Sequence, residues 1–493
     1  MTHPFRRLAA SLTLALIATA SLPAQDNAPP ELTLQECITR ALGKNFDLEI
    51  GRFGPQIAGE SIETAKAGFD PTLSLTSTRS FNQQPNSQST LDGSPSPTSD
   101  STNTRLAVNQ KIATGATVGV STRLNRSSNN SSFNTLNPAY NADATLSVSQ
   151  PLLRGFGSDV TQAGIHRAEI GLQRANLDFK TQALSVIQNT ENAYYNLAYS
   201  REQLAVRNFS LKLANKLFDE AKTRRDTGVA TDLDVLQAEV GVANARRGVI
   251  LAEQSVKDRQ DGLLALIGQF ALDETLGSVR FSEVTGALPV FASSYAMAKQ
   301  NQPDFLSSQA AIGQLRLDLQ IAKNAKLPSL SVGGAVGFNA RESSAGSAYS
   351  AVPDGDGYSW QVDLSLSVPL GFRGDKASYR QSLANFNREQ VRLRQLEQSI
   401  ELQVRSAVRS VETNTESVKI ATLASALSQK QYELEKARFD AGLSTSRRVL
   451  EAQNDLETAR ISELQARVTL HTAVAALHRI EGSSLQRYAV DLP

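Results

Sequence analysis

Apolar positions along the chain follow two different periods, and the periods alternate in the same order twice. In segments 144–150 and 362–370, apolar residues alternate with Ser, Thr and Asp. This period of two predicts β-strands with one apolar face. In 163–226 and 375–440, apolar residues recur every seven positions and no proline interrupts them. Sustained heptads predict long helices in coiled-coil packing, longer than a compact domain needs.

The two halves of the sequence match each other. Residues 218–268 align with 432–482 without a gap, and a shorter match joins 65–75 to 322–332. Because the matches keep the same order in both halves, one supersecondary unit is used twice. The predicted segments are a signal peptide 1–24, a first structural repeat 25–268, a linker 269–289, a second structural repeat 290–482 and a C-terminal tail 483–493.

Each repeat is predicted to contain the same three parts in the same order. A helix comes first, a proline then marks the change from helical to strand period, and a long helical hairpin follows. In the first repeat the parts are helix 33–66, β segments 70–152 and hairpin 156–268 with its tip at 227–232. In the second they are helix 293–326, β segments 328–370 and hairpin 373–482 with its tip at 441–446.

The first repeat carries more strand signal than the second. Besides 70–80 and 143–152, segments 104–112 and 116–124 also alternate, and a tight-turn signal separates these two. The sequence leaves two alternatives open for this additional hairpin. It lies among the other strands and enlarges their sheet, or it projects beyond them as a cap.

The alternating segments fit two kinds of sheet. Strands of about ten residues, apolar on one face and small-polar on the other, are typical of a membrane β-barrel, but a soluble half-buried sheet alternates in the same way. Residues 1–24 read as an export signal, with Arg6 and Arg7 ahead of an apolar run. Beyond residue 24 no stretch is long and apolar enough for a transmembrane helix. A chain of this kind that spans a membrane is expected to use strands.

Composition excludes several classes of function. The chain has 493 residues with 50 Lys and Arg against 49 Asp and Glu, so no basic surplus is available to neutralise a nucleic acid backbone. Cys37 is the only cysteine, which excludes a disulfide scaffold and a cysteine-built metal site. No phosphate-binding glycine loop or nucleophile elbow is evident. We therefore expect no enzyme activity, no cofactor, no metal and no nucleic acid partner.

The turn at the tip of each hairpin is shared by both repeats. It reads "TGVATD" in the first and "AGLSTS" in the second. Gly228 and Gly442 are placed to take the left-handed conformation that ends a helix. Reversing the chain needs little more than such a glycine, yet both copies also keep a following Thr and a Val-Leu pair. This shared framework favours a docking or gating role for the tips over chain reversal alone.

The residues after each glycine predict where the returning helix begins. Thr231, followed three positions later by Asp234, predicts a capping box. In the second copy Ser444 or Thr445 is placed to cap, but arginine stands where the acid would be. We expect both returning helices to start with a side-chain cap.

The order helix, strands, long helix, Gly-[Val/Leu]-x-Thr turn and helix, present twice after a signal peptide, resembles the TolC-type outer membrane efflux and secretion proteins. The strand-to-helix passages "QPLLRGFG" and "VPLGFRGD" belong to the same resemblance. It implies an α+β membrane protein, a homotrimer whose chains share one transmembrane β-barrel that continues into a long periplasmic α-helical coiled-coil barrel. It also implies contact with outer membrane lipid, and a periplasmic adaptor and an inner-membrane pump of the RND or ABC type docked at the tips.

The resemblance further implies roles for residues near the tips. The adaptor-docking residues would be Gly228, Val229, Ala230, Thr231, Gly442, Leu443, Ser444 and Thr445. The tunnel constriction would be formed by Asp234, Phe439, Arg448 and Glu451. Arg448 departs from the family, since it stands where some members place a constricting Asp. A contact of Arg448 with Glu451 or Asp234 would latch a closed tunnel; the alternative is a solvated charged face beside a polar turn.

The implied function is an outer membrane exit duct of a tripartite efflux or type I secretion system, which conducts substrates passively to the exterior. The alternative is a non-transporting periplasmic coiled-coil scaffold anchored in the outer membrane. A scaffold needs no lumen, and so gives no reason for strands with a polar face. Within the transport function, drugs, metals and proteins all fit an open duct, so the cargo stays open.

Overall fold

The computed structural model describes residues 31–85, 96–268, 276–281, 288–354 and 356–489. The predicted signal peptide 1–24 lies outside the described residues, as do most of the predicted linker 269–289 and the last four residues of the tail. Within these ranges the chain forms one antiparallel sheet and a set of long helices.

The sheet has six strands, and each strand pairs with the next along the chain. They are β1 Thr72–Gln83, β2 Thr98–Lys111, β3 Thr117–Asn129, β4 Ala139–Pro151, β5 Ser329–Glu342 and β6 Gly357–Ser367. The additional hairpin of 104–112 and 116–124 lies inside β2 and β3, between β1 and β4. It is therefore part of the sheet and not a projecting cap. The first repeat supplies four strands and the second supplies two, which leaves β1 and β6 at the edges.

The two faces of the sheet differ in polarity across all six strands. One line of paired residues on the first face is Leu73, Val108, Val120, Leu146, Val336 and Trp360. All six of these side chains are exposed in the single chain. The neighbouring line on the second face is Ser74, Ala107, Ser121, Thr145, Gly337 and Ser359. The alternation seen in the sequence thus gives one face with a band of exposed apolar side chains and a second face of small and polar residues. On the first face, the segment 345–352 packs against Ala142 and Ala340.

The helices account for most of the described chain. They are α1 Leu34–Lys44, α2 Phe46–Lys66, α3 Ser158–Thr161, α4 Ala163–Asp226, α5 Asp232–Leu266, α6 Phe291–Asn301, α7 Pro303–Ala325, α8 Ala345–Ala351, α9 Arg373–Asp440, α10 Ser446–Glu481 and α11 Ser484–Arg487. At 1.5 Å per residue, α4 and α9 each extend roughly 100 Å. Among the described residues, no helix combines the length and the apolar character needed to cross a bilayer.

The predictions of single helices over 33–66 and 293–326 are wrong, because each region is two helices. The first breaks at Asn45, which is extended and whose side chain accepts hydrogen bonds from the first amides of α2. The second breaks at Gln302, which is also extended. Pro303 follows it and disfavours the helical conformation for the residue before it, while fitting the first position of a new helix. Both repeats therefore place a bend at the same point.

The four long helices pack side by side in the order α5, α4, α10, α9. Two apolar cores lie where the shorter helices join them, one for each repeat. The first includes Ile38, Leu48, Ile187 and Leu263 from α1, α2, α4 and α5. The second includes Phe305, Ile400, Val404 and Leu477 from α7, α9 and α10. Duplication of the sequence thus gives two similar cores in one helical layer, and α5 and α9 are its outer helices.

The C-terminal turn is held to the first core by a buried polar contact. The Tyr488 hydroxyl donates a hydrogen bond to Glu191 Oε1 over 2.5 Å, and the Glu191 side chain is buried with its second oxygen unpaired within the described residues. Burial raises the pKa of Glu191, and the Tyr488 hydrogen bond only partly opposes that shift. The protein therefore retains a carboxyl group that is costly to ionise where it stands.

Replacing Glu191 with glutamine is expected to flatten the pH dependence of stability. Because the pKa of Glu191 is raised on folding, its contribution is fully present below the unfolded pKa of 4.5 and is lost as the pH rises through the folded pKa. The slope for one group is at most about 1.4 kcal/mol per pH unit. Glu191→Gln keeps the acceptor for Tyr488, so its thermal midpoint in detergent should rise relative to wild type between pH 4.5 and neutrality. Parallel pH profiles for the two proteins would contradict this account.

Candidate functional site at the helical tips

Both long outgoing helices end in the same way. Gly228 and Gly442 are left-handed, with φ of 76° and 77°. The next amide in each copy reaches back to close the last turn, from Val229 to the Arg224 carbonyl over 2.8 Å and from Leu443 to the Arg438 carbonyl over 2.8 Å. This is the Schellman pattern, in which a left-handed residue satisfies the final carbonyls of the helix. The role predicted for the two glycines is confirmed.

The starts of the returning helices differ. The predicted capping box is confirmed in the first copy, where the Thr231 hydroxyl accepts from the Asp234 amide and Asp234 Oδ2 accepts from the Thr231 amide over 3.0 Å. In the second copy the prediction of a cap is wrong. Thr445 occupies the capping position without a side-chain bond, and the Ser444 hydroxyl donates to Glu435 instead. Arg448 stands three positions after Thr445, where a capping box would need an acid. The Glu435 carboxylate accepts the hydrogen bond of the Ser444 hydroxyl instead.

Because only Thr231 of the two threonines makes a side-chain cap, the same substitution at Thr445 serves as a control for its replacement. Thr231→Ala should destabilise the start of α5 by about 1 kcal/mol, since it removes a capping bond. Thr445→Ala should have little effect, because its hydroxyl caps nothing. Hydrogen exchange read by mass spectrometry should show faster exchange in the first turn of α5 for Thr231→Ala, and no matching change in α10 for Thr445→Ala. Equal changes in the two helices would refute the assignment.

The two tips project apolar side chains that the described part of the chain leaves exposed. Val229 is 75% exposed and Leu443 is 72% exposed, and they occupy equivalent positions directly after the left-handed glycines. Of the other predicted docking residues, Gly228, Thr231, Gly442 and Thr445 are exposed, and Ala230 and Ser444 are half-buried. The tips therefore present two equivalent exposed apolar side chains on hydrogen-bonded turns.

Asp234, predicted to line a constriction, joins the two tips to each other. Its Oδ1 accepts a hydrogen bond from the Ser446 hydroxyl over 3.1 Å, while Oδ2 serves the cap of Thr231. The backbone and side-chain hydrogen bonds from Thr231 lower the pKa of Asp234, and the Ser446 bond adds to this. The carboxylate is thus ionised at neutral pH and fully engaged within the chain.

Arg448 and Glu451, the other charged residues predicted at the constriction, are both exposed. Among the residues that the structure describes, Arg448 forms no ion pair with Glu451 or with Asp234. The single chain therefore does not contain the predicted latch. Asp234 is held by Thr231 and Ser446, which occupy its oxygens.

Phe439 does not line an opening of the chain. It is 4% exposed and packs with Leu217 and Val449 between the two hairpins. The Arg224 guanidinium lies 4.0 Å from the centre of its ring and also donates to the Phe439 carbonyl over 2.9 Å. An apolar ring next to a cation in a partly buried site forms a strong contact. Phe439 therefore holds the hairpins together, and its predicted role at the constriction stays a prediction.

A second contact between the hairpins was not predicted from the sequence. Lys436, whose side chain is 18% exposed, forms ion pairs with Glu220 and with Asp440. Burial lowers the pKa of Lys436, but the hydrogen bonds with both carboxylates outweigh it and raise the pKa above its ordinary value. Lys222 matches Lys436 in the repeat alignment, yet Lys222 is exposed. The repeat alignment pairs Lys222 with Lys436 but does not show that their surroundings differ.

Within the described ranges, no cluster of His, Cys, Asp or Glu is suited to holding a metal ion. The polar contacts at and behind the tips include hydrogen bonds and an ion pair between the two hairpins. These contacts can hold the two hairpins together, and breaking them would let the hairpins separate.

The comparisons with known proteins agree with this architecture. The family model described as outer membrane efflux protein matches residues 37–269 and 294–483. The pyoverdine export outer membrane protein OpmQ of Pseudomonas aeruginosa is 25% identical over 339 residues, which cover 66% of this chain and 67% of that protein. The outer membrane efflux protein BepC of Brucella suis is 22% identical over 472 residues, which cover 95% of this chain and 90% of that protein.

Solved structures show the same fold. The outer-membrane channel OprN has a TM-score of 0.69 with 17% identity, and the alignment covers 92% of this chain and 90% of that one. The CmeC outer membrane channel of Campylobacter jejuni has a TM-score of 0.67 with 15% identity, and the alignment covers 98% of both chains. The combination of one antiparallel sheet with long helices is therefore an established architecture.

Proposed function

Because the chain belongs to the outer membrane efflux protein family, we propose that it is the exit duct of a tripartite efflux or type I secretion system. The members of this family are outer membrane efflux channels and not enzymes, and the same holds for this chain. We further propose how the chain assembles, which partners it binds and what its tips do. The observation that carries it is the duplicated tip, where each repeat ends in an exposed apolar residue on a rigid turn, Val229 or Leu443.

Three copies of the chain share one barrel. The support is that β1 and β6 are the edge strands of the described sheet, and that one face carries a band of exposed apolar side chains across all six strands. Unpaired strand edges are not tolerated in lipid, because each free backbone group costs several kcal/mol there. Pairing β6 of one copy with β1 of the next removes the edges and leaves the small and polar face around a lumen.

The helices continue the barrel as a tunnel through the periplasm. The outer helices of the layer carry exposed apolar side chains that fit packing between copies. On α5 these are Leu233, Leu236, Val240, Ile250 and Leu251, and on α9 they include Ile420, Leu423, Leu427 and Leu434. Several exposed apolar side chains along one helix fit packing against another chain. In a ring of three copies, α5 of one chain meets α9 of the next.

The tips dock a periplasmic adaptor, and the contacts behind them keep the tunnel closed. Val229 and Leu443 supply the apolar surface for the adaptor. Asp234, Phe439 and Lys436 hold the two hairpins of one chain together, and Arg448 and Glu451 remain available to neighbouring copies. An inner-membrane pump of the RND or ABC type supplies the energy. The names of relatives refer to pyoverdine export and to toxin and drug export, so the proposal names the duct and leaves its cargo open.

The proposed assembly can be tested on the purified protein. Light scattering with the detergent contribution subtracted should give the mass of a trimer of the chain recovered from the outer membrane, and planar bilayers should show discrete conductance steps. Deleting the gene should raise sensitivity to exported compounds, and the wild-type gene should restore resistance. A stable monomer without conductance would favour the scaffold alternative and overturn the duct.

A further inference from the structure

A cleft of about 420 Å³ opens at the junction between the sheet and the helices. It is lined by Lys326, Arg373, Lys376, Tyr379 and Arg380. Lys326 ends α7, and the other residues lie in the first turns of α9. Four cations therefore converge on one cleft, far from the tips, where the strands of the second repeat pass into the helical layer.

The positive charge of this cleft is not neutralised within the chain. In the part of the chain that the structure describes, none of the four cations has a carboxylate within ion-pair distance. Lys326 lies over the ring of Tyr379, 3.6 Å from its centre. Asp375 is the nearby acid in the first turn of α9, and it pairs with Arg154 over 3.7 Å. The cleft thus holds an excess of positive charge that only an external anion can offset.

The start of α9 adds to this charge. The helix has 68 residues and begins at Arg373, so its first amides point outward without helical partners and its dipole favours an anion. A phosphate group matches this environment, because it accepts several hydrogen bonds from arginine, lysine and backbone amides at once.

A run of exposed apolar residues directly precedes the cleft residues of α9 along the chain. The exposed face of β6 carries Leu364 and Leu366, and Val368 and Leu370 extend it towards α9. Leu370, three positions before Arg373, is 100% exposed. The cleft therefore stands at the end of a lipid-compatible face, at the level where a strand leaves the membrane for the periplasm. A molecule with a phosphate head and acyl chains fits both features.

The corresponding junction of the first repeat lacks this property. Arg154 pairs with Asp375, Arg167 pairs with Asp318, and the His166 ring lies 3.1 Å from Glu169. The fold can therefore join a strand to a long helix without an uncompensated cluster. The excess charge belongs to the second repeat alone and needs a separate explanation.

We propose that this cleft, lined by Lys326, Arg373, Lys376 and Arg380, binds the phosphate of an anionic phospholipid in the inner leaflet of the outer membrane. The acyl chains of that lipid lie along the exposed face of β6. Basic pockets at the membrane surface bind anionic headgroups in this way. The inference depends on the location of the chain in the outer membrane and does not depend on adaptor docking or gating.

The test compares lipid retention by the full chain and by a variant in which three of the cations are neutral. Purified protein in dodecylmaltoside is titrated with phosphatidylglycerol, phosphatidylcholine or inorganic phosphate, and bound lipid is counted by native mass spectrometry. Wild type should retain phosphatidylglycerol in preference to phosphatidylcholine. Arg373→Gln/Lys376→Gln/Arg380→Gln should lose at least about tenfold in that retention, since each cation near a membrane surface contributes about 1 kcal/mol.

A matched control removes the same charge from the same helix. Arg388→Gln/Arg392→Gln/Arg394→Gln changes three exposed arginines further along α9 and should retain phosphatidylglycerol as wild type does. Arg373→Lys/Arg380→Lys keeps the charge and should bind even if the glutamine variant folds poorly.

Three results would overturn the proposal. The first is equal retention of phosphatidylglycerol by wild type and the triple-glutamine variant. The second is displacement of phosphatidylglycerol by millimolar inorganic phosphate, which would make the cleft a site for free anions. The third is dissociation of the assembly in the triple-glutamine variant with unchanged lipid per chain, which would assign the cations to carboxylates of a neighbouring copy.

Discussion

Leu443→Asp is expected to abolish export while leaving the folded chain in the outer membrane. The Leu443 side chain is 72% exposed at the second tip, so its replacement should have little effect on folding. Docking would bury this side chain, a gain of about 1.5–3 kcal/mol per copy. An aspartate forfeits that gain and must be desolvated against an apolar partner. Copurification of the adaptor should fall at least about tenfold, and sensitivity to exported compounds should approach that of the deletion strain.

Two controls separate docking from a general effect of the substitution. Leu443→Met keeps the apolar surface and should retain adaptor binding. Leu288→Asp makes the same change at an exposed leucine outside the hairpins and should also retain it. Val229→Asp, at the equivalent position of the first repeat, should behave like Leu443→Asp. Normal copurification of the adaptor with Leu443→Asp would show that the tips are not the docking surface.

Local features of the fold could be predicted because their causes lie close together in the sequence. The proline-free heptad stretch 163–226 has the bounds of α4, and the left-handed glycines and the Thr231 cap depend on residues a few positions apart. The bend at Gln302 could also have been predicted from the sequence, since Pro303 disfavours a helical conformation for the residue before it. The prediction of a single helix over 293–326 did not take Pro303 into account. The bend at Asn45 has no proline and depends on a side-chain cap.

The contacts that join the two tips could not be predicted in the same way. Asp234 meets Ser446, and Lys436 meets Glu220, only because α4 packs beside α10 in the helical layer. Heptads indicate that a helix is packed but do not identify its neighbour. For the same reason, the sequence does not show that Phe439 is buried between the hairpins.

Residues that match in the repeat alignment can also make different contacts in the structure. Arg224 and Arg438 match in sequence, but Arg224 stacks on Phe439 whereas Arg438 pairs with Glu435 on its own helix. Because α4 is an inner helix and α9 an outer helix of the layer, equivalent positions face different neighbours. After duplication, one of two equivalent residues thus binds across the hairpins while the other pairs within its own helix.

Lys436→Met is expected to open the proposed channel. Lys436 is partly buried and pairs with Glu220 across the two hairpins and with Asp440 on its own helix. Removing the ammonium leaves both carboxylates uncompensated and should weaken the contact between the hairpins by about 1.5–3 kcal/mol. If the closed state depends on that contact, the open population rises by about tenfold or more. Mean conductance in planar bilayers should rise accordingly, and adaptor binding should persist because Val229 and Leu443 are unchanged.

The internal repeat supplies the control for this experiment. Lys222→Met makes the same substitution at the equivalent position of the first hairpin, where the side chain is exposed, and should leave conductance unchanged. Because hydrogen bonds raise the pKa of Lys436, its ion pairs are fully present below its unfolded pKa and are lost only as the pH rises through the folded value. Wild-type conductance should therefore not vary with pH through neutrality on account of this group. Equal conductance for Lys436→Met and Lys222→Met would show that the contact between the hairpins stabilises the chain without controlling the tunnel.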